Sequence, residues 1–172
     1  MFNAIDVAKW FMENNEDTPK NTLQGNMKLQ KLMFFSQLIH IARTDKYLIK
    51  EEFNAYDKGM VMESIRILHY NNMSKILEDG KPISDIDALE TLKLTNEIYG
   101  DATADELSDL SHQFEFWRKY LNNSKTIFGY KIKSKSVVPN SELKKEIQVI
   151  KDVLKANEML NNKNIIGEDL EY

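Results

Sequence analysis

The 172-residue chain contains no cysteine. Disulfide cross-links, a thiol nucleophile and cysteine-ligated zinc are therefore excluded. Only three prolines and six glycines occur, too few for a linker-rich or low-complexity protein. No run approaches eighteen uninterrupted apolar residues, so no membrane-spanning helix is expected. The opening MFNAIDVAKW lacks the basic flank and long apolar region of a secretory signal, and a cytoplasmic protein is the expectation. Histidine is scarce as well. His40, His69 and His112 never stand at the i, i+4 spacing of a helical metal pair, and HExxH is absent. The motifs GxxxxGK[ST], GxGxxG and GxSxG are also missing, which leaves nucleotide and acyl-transfer chemistry without an anchor. Neither a catalytic residue nor a cofactor or metal site is expected.

What remains is an ordinary globular composition, 42% hydrophobic and 29% charged, long enough for one sizeable core. The net charge of −4 argues against generic nucleic-acid binding, but its distribution is uneven. Residues 76–115 hold eleven Asp and Glu against two Lys, while 118–135 hold six Lys and Arg and no acid. Such segregation points to complementarity within the chain or with a protein partner. Tyr120, Phe128 and Tyr130 are interleaved with the cations of 118–135, a pattern able to stack single-stranded bases. An autoregulator binding nucleic acid there, through Lys131, Lys133 and Lys135, is thus one alternative; a solvated charged loop is the simpler account. A hydrolase or nuclease holding Mg²⁺ with scattered Asp and Glu is another, because such sites leave little trace in sequence. The carboxylates of DGKPISDIDALE, however, sit at a helix start, where negative charge is favourable without any catalysis.

Helical spacing dominates the chain. Asn3 and Asp6 cap a first helix carrying Ile5, Ala8, Phe11 and Met12, and a polar loop follows. NMKLQKLMFFSQLIHIAR, 26–43, is apolar over about half its circumference, with Leu29 and Met33 extending that character further. A helix so apolar is contacted on more than one side, which places 26–44 at the centre of the fold. His40 there fits a hydrogen-bonded histidine at the rim of a core. Residues 47–61 suit a short extended segment or minor hairpin ending at Gly59. Further helices are predicted over 62–77, with Ile65, Leu68, Met73, Ile76 and Leu77 inward, and over 86–99, stopped by Gly100 at C′. Thr103 and Glu106 have the spacing of a capping box for a helix ending at His112. A turn or two of helix follows in FEFWRKYL, then a basic loop with room for a marginal hairpin. Ser141 caps a last helix through about Leu160. The expected fold is a mostly all-α single domain over 1–160 built around the 26–44 helix, with room for one short β-hairpin, and a flexible tail over 161–172.

Several of these stretches, taken in order, resemble the SocA-like or Panacea domain family of antitoxins, which includes phage-associated proteins. Asp6-Val7-Ala8 with Phe11 is similar to the family's opening helix. Lys28-Leu29-Gln30-Lys31-Leu32 with Phe34, Phe35 and His40 resembles its KLQKLLYF helix. Phe53-Asn54-Ala55-Tyr56 and Gly59 match its next segment in part, with Lys58 and Met60 where the family has tyrosine and proline. Tyr99-Gly100, Ala104, Leu107, Leu110-Ser111-His112 and Trp117 resemble a later block, so the likeness runs from residue 4 to about 121, and Val137-Val138-Pro139-Asn140 is similar to the closing segment.

The resemblance implies a helical antitoxin that neutralises a toxin encoded beside it, by direct contact or as an adaptor handing the toxin to a cellular protease. It implies no catalytic triad and no metal site. Lys28, Gln30, Lys31, Phe35, His40, Gly59 and His112 are then structural. Aromatic and Arg side chains usually anchor interfaces, which makes Tyr56, Trp117 and Arg118 the candidate partner contacts, with Lys58 beside them.

Overall fold

A computed structural model describes residues 1–121, 126–127, 130–131 and 136–168. The chain is mostly α-helical, as the spacing predicts, with a three-stranded and a two-stranded antiparallel sheet among the described residues. The first two helices are α1 (Ala4–Asn14) and α2 (Leu23–Thr44). A hairpin of β1 (Phe53–Tyr56) and β2 (Gly59–Val61) follows, then α3 (Glu63–Asn72), α4 (Ser74–Asp79), α5 (Ile86–Tyr99), α6 (Ala104–Ser111) and α7 (Glu115–Leu121). After a small pair, β3 (Thr126–Ile127) with β4 (Tyr130–Lys131), the chain ends in β5 (Ser136–Val138), α8 (Asn140–Lys145) and α9 (Gln148–Glu168).

Helix α2 is the axle. It touches α1, α3, α5, α6, α8, α9 and β2, and every residue from Lys28 to Ile41 is buried. Thr22 caps it, its hydroxyl accepting from the Gly25 amide at 3.0 Å, and Asp45 ends it in the left-handed region at φ 58°. Phe34 sits at the middle of an aromatic cluster, with the rings of Phe35, Phe53, Phe114 and Phe116 within 5.3 to 6.1 Å. Those rings join α2 to the hairpin and to the α6–α7 region. Burying four or five such side chains contributes several kcal/mol at about 1.5–3 kcal/mol each.

A helix buried all round cannot leave polar side chains in water, so its polar groups must find partners inside. Gln37 shows how. Its Oε1 accepts from the amides of Leu48 and Ile49, each at 2.8 Å, while Nε2 donates to the Ile49 carbonyl at 3.3 Å and to Asn140 Oδ1 at 3.2 Å. An irregular segment with no ladder of its own is thereby held by one side chain. The same stretch pairs with the N-terminus, the Phe2 amide donating to the Leu48 carbonyl at 2.7 Å.

The sheet order is β2-β1-β5, with Ala55 opposite both Met60 and Ser136. The hairpin was legible in the sequence; the third strand was not, because Val137-Val138 is too short to show a period. The expected helix over 62–77 is two helices, broken at Met73 after the weak helix formers Asn71 and Asn72. Leu77 consequently turns outward, 38% exposed, while Ile65 and Ile76 are buried. Helix α2 starts three residues before Asn26 because Thr22 supplies the cap. Gly100 is not a left-handed C′ residue. Its φ is −64°, and a side chain there would strike the Asn96 carbonyl. The last helical stretch is also two elements, α8 after Pro139 and α9, the latter running to Glu168 rather than stopping near Leu160. The capping boxes hold: the Asp6 carboxylate accepts from the Asn3 amide at 3.3 Å, and that of Glu106 from the Thr103 amide at 2.8 Å. Phe128, Lys133 and Lys135 lie outside the described residues.

Replacing Gln37 by leucine keeps the volume but strands two amides and one carbonyl. Unfolding in denaturant should show a loss of about 3 kcal/mol, since each buried orphan costs roughly 1–3 kcal/mol. A loss below about 1 kcal/mol would mean that water replaces the side chain there.

Candidate functional site

The β1–β2 hairpin is pinned from behind by four side chains, each bound to its backbone. Gln30 Oε1 accepts from the Met62 amide at 2.7 Å, and Lys31 Nζ donates to the Met60 carbonyl at 3.0 Å. Ser108 Oγ donates to the Lys58 carbonyl and Trp117 Nε1 to the Tyr56 carbonyl, both at 2.8 Å. Gly59 has φ +97°, and a Cβ there would lie 2.1 Å from Ser111 Oγ and 3.0 Å from Lys31 Cε. Only glycine fits both demands. His112 stacks on the Trp117 ring at 3.9 Å between centroids, fixing the indole that reaches Tyr56. Burial holds the His112 imidazole below its ordinary range.

Against this hairpin lies a groove of about 880 Å³, bounded by the first turns of α2, by the hairpin and by α3. Leu23 and Met27 come from α2, Tyr56 and Lys58 from the hairpin, and Arg66 and Tyr70 from α3. Glu63 organises the α3 side. Its carboxylate accepts from the Tyr56 hydroxyl at 2.5 Å and from Arg66 Nε and Nη2 at 2.8 and 3.0 Å. The Arg66 guanidinium also sits 5.8 Å from the Tyr56 ring centroid.

Three nearly inaccessible polar side chains, Gln30, Lys31 and His69, contribute to the lining. Burial pushes the Lys31 amine down to about 7, and among the described residues no carboxylate pairs with it. Its bond to Met60 uses one of three donors. His69 Nε2 lies 2.8 Å from the Thr18 carbonyl and donates to it, which leaves Nδ1 a buried acceptor without a donor among the described residues.

The residues singled out in the sequence fall in different places. Tyr56 and Lys58 line the groove, whereas Trp117 backs the turn and the exposed Arg118 is not part of the lining. Gln30, Lys31, Gly59 and His112 converge behind the hairpin. Lys28 is bound elsewhere, its Nζ 2.6 Å from Asp17 Oδ2; Lys20 and Lys28 together hold that carboxyl down at about 2. Phe35 stacks on Tyr99 at 4.4 Å, and His40 Nδ1 meets Thr91 Oγ1 at 2.9 Å, a satisfied histidine at the core rim. Leu23, His69 and Tyr70 were missed. The one available signal was Tyr70, an aromatic on a helix face that Ile65 and Leu68 do not share.

The chain matches the family model "Antitoxin SocA-like, Panacea domain" over residues 29–118, just over half its length. It belongs to that family. No curated protein and no solved structure matches it. The Panacea match begins inside the Lys28–Leu32 motif and ends one residue past Trp117, so it spans the hairpin and all four side chains that pin it. That span is narrower than the likeness traced from residue 4 to about 121. Among the described residues no helix is long and apolar enough to cross a membrane, and no group of three or more His, Asp or Glu is placed to hold a metal ion.

Two predictions test the Panacea hairpin support. Gly59→Ala should destabilise by about 2 kcal/mol or more, combining left-handed strain with the clash at Ser111; an unchanged melting temperature would refute the packing. The second concerns Lys31, whose amine is near 7 when folded and near 10.5 when unfolded. Between those values the unfolded chain holds the extra proton, so stability rises with pH by at most about 1.4 kcal/mol per unit. Below about pH 7 both states are protonated and the penalty is constant. Denaturant curves of wild type minus Lys31→Met should therefore climb from pH 7 to 10, and a flat difference would show that the amine is solvated.

Proposed function

We propose that this protein is an antitoxin acting by direct protein–protein contact on a toxin encoded beside it, with no catalysis of its own. The observation that carries this reading is where the family-matching residues lie. Gln30, Lys31, Gly59, His112 and Trp117 all act on the hairpin that brings Tyr56 and Lys58 to the groove. Gln30, Lys31 and Trp117 bind backbone through their polar atoms, and His112 supports the indole by stacking, so together they hold a surface in shape rather than assembling around a reacting centre. The surface so presented has tyrosine, arginine and methionine, the residue types that interfaces favour. Masking the toxin is the simplest use of such a contact; handing it to a protease begins with the same capture.

Co-expression is the test. The adjacent gene product is induced in a bacterial host with and without this protein. Growth arrest by that product alone, relieved when both are made, is the expected outcome. A harmless neighbour, or one that stays toxic in the presence of this protein, removes the reading. Following toxin level in a protease-deficient host then separates the two modes: masking leaves the toxin abundant in complex and relief intact, whereas an adaptor loses its effect.

A further inference from the structure

The groove carries groups that no described residue engages. Leu23 is 81% and Tyr70 77% exposed, two large apolar groups at one rim. Ile67 lies one helical turn before Tyr70 and is 44% exposed. At the hairpin end stand two cations without a counter-charge among the described residues, the exposed Lys58 and, beneath it, Lys31. Arg66, by contrast, is already neutralised by Glu63. The groove's own carboxylates do not answer them: Asp105 accepts from Gln24 at 3.5 Å, and Asp57 is engaged within the chain. Farther along, His69 Nδ1 waits for a donor, its side chain almost wholly buried.

The exposed apolar side chains, the buried Lys31 amine and His69 Nδ1 are each unfavourable in the free protein, while the hydrated Lys58 ammonium stands ready for an opposite charge. One occupant relieves them together. Leu23 and Tyr70 stand open to solvent at the edge of the groove, as suits a peptide segment that lies along it and continues beyond. We infer that the groove receives a peptide segment of the toxin, apolar where it meets Leu23 and Tyr70 and carrying an Asp or Glu side chain toward Lys58. The carboxylate meets Lys58 first and lies in the field of the buried Lys31 amine, whose protonated form it favours. A side chain or backbone N–H of the segment supplies the donor that His69 lacks. Tyr70 is the apolar anchor and Lys58 the register-setting charge, which divides affinity from orientation as interfaces commonly do.

This inference rests on the antitoxin reading and names the place and chemistry of the contact. The experiment uses the full-length protein and the purified adjacent-gene toxin, with affinity measured by titration calorimetry. Tyr70→Ala and Lys58→Glu change exposed side chains; thermal melts check that both variants remain folded. Each should weaken binding at least tenfold, while Ile86→Ser, an equally exposed apolar change outside the groove, stays within twofold of wild type. Reversing the toxin's surface Asp and Glu residues to Lys one at a time should yield one variant that restores binding to Lys58→Glu. If both variants bind like wild type, the toxin docks elsewhere and the inference is overturned. If Tyr70→Ala weakens binding and Lys58→Glu does not, or if no reversal restores it, the acidic segment is wrong and the inference falls. A toxin that neither binds nor is neutralised by the wild-type protein defeats the antitoxin reading instead, so the two failures are distinguishable.

Discussion

Everything in this fold hangs on a helix with no solvent side. A surface helix sends its polar residues to water and specifies only one packed face. Helix α2 has no such outlet between Lys28 and Ile41, so each polar side chain there must be answered by another buried group. Lys28 meets the Asp17 carboxylate and His40 the Thr91 hydroxyl, whereas for three others the answering groups are backbone amides and carbonyls of the chain that follows. Gln37 takes residues 48–49, and Gln30 and Lys31 take residues 60–62. Placing Gln30, Lys31 and Gln37 along the helix thus fixes where the chain after it must run. Hydrophobic burial supplies most of the stabilisation, but it is non-directional. The hydrogen bonds select the hairpin's position, because a shift of one residue would leave buried donors unmatched.

Lys31 is the extreme case. A buried amine with no carboxylate is normally avoided, and burial alone brings it down to about 7. A neutral donor at this position would avoid the desolvation penalty. What lysine adds is reach and charge: its Nζ stands under the Gly59 turn, 3.2 Å from where a Cβ would be, and beside a groove open to other groups. The residue therefore couples the stability of the hairpin to whatever lies in front of it. An anion nearby strengthens the protonated state and its bond to Met60; an apolar neighbour favours the free amine.

The sequence revealed the elements whose own pattern determines them. The Thr103–Glu106 box was read to the residue, because capping chemistry is local, and the span of α5 was read from its apolar spacing although its end at Gly100 is not the expected left-handed cap. The centrality of α2 followed from apolar residues that exceed one face. What could not be read depended on distant partners. Gln30 and Gln37 look like ordinary polar positions on a helical wheel until the backbone they bind is in place. The break at Met73 leaves little trace beyond Asn71-Asn72, yet it decides that Leu77 faces outward. The groove was still less accessible, since it exists only where α2, the hairpin and α3 meet. Tyr56 and Lys58 were found through the hairpin, but Leu23 is separated from Tyr70 by nearly fifty residues.

The departures from the family pattern at 58 and 60 can now be told apart. Met60 is fully buried and paired opposite Ala55, and its carbonyl takes the Lys31 amine. A proline at that position keeps a carbonyl but gives up an N–H and a flexible side chain, so the substitution acts on the strand and on the core beneath it. Lys58 is different. Its carbonyl is held by Ser108, which fixes the backbone whatever the side chain is, and the side chain itself is exposed at the mouth of the groove. Where tyrosine would offer an aromatic face, lysine offers a mobile charge on an otherwise fixed turn. The scaffold tolerates either because the bonds that position the turn run through backbone atoms alone. Variation at 58 therefore alters the mouth of the groove without disturbing the fold, whereas variation at 60 reaches the fold first.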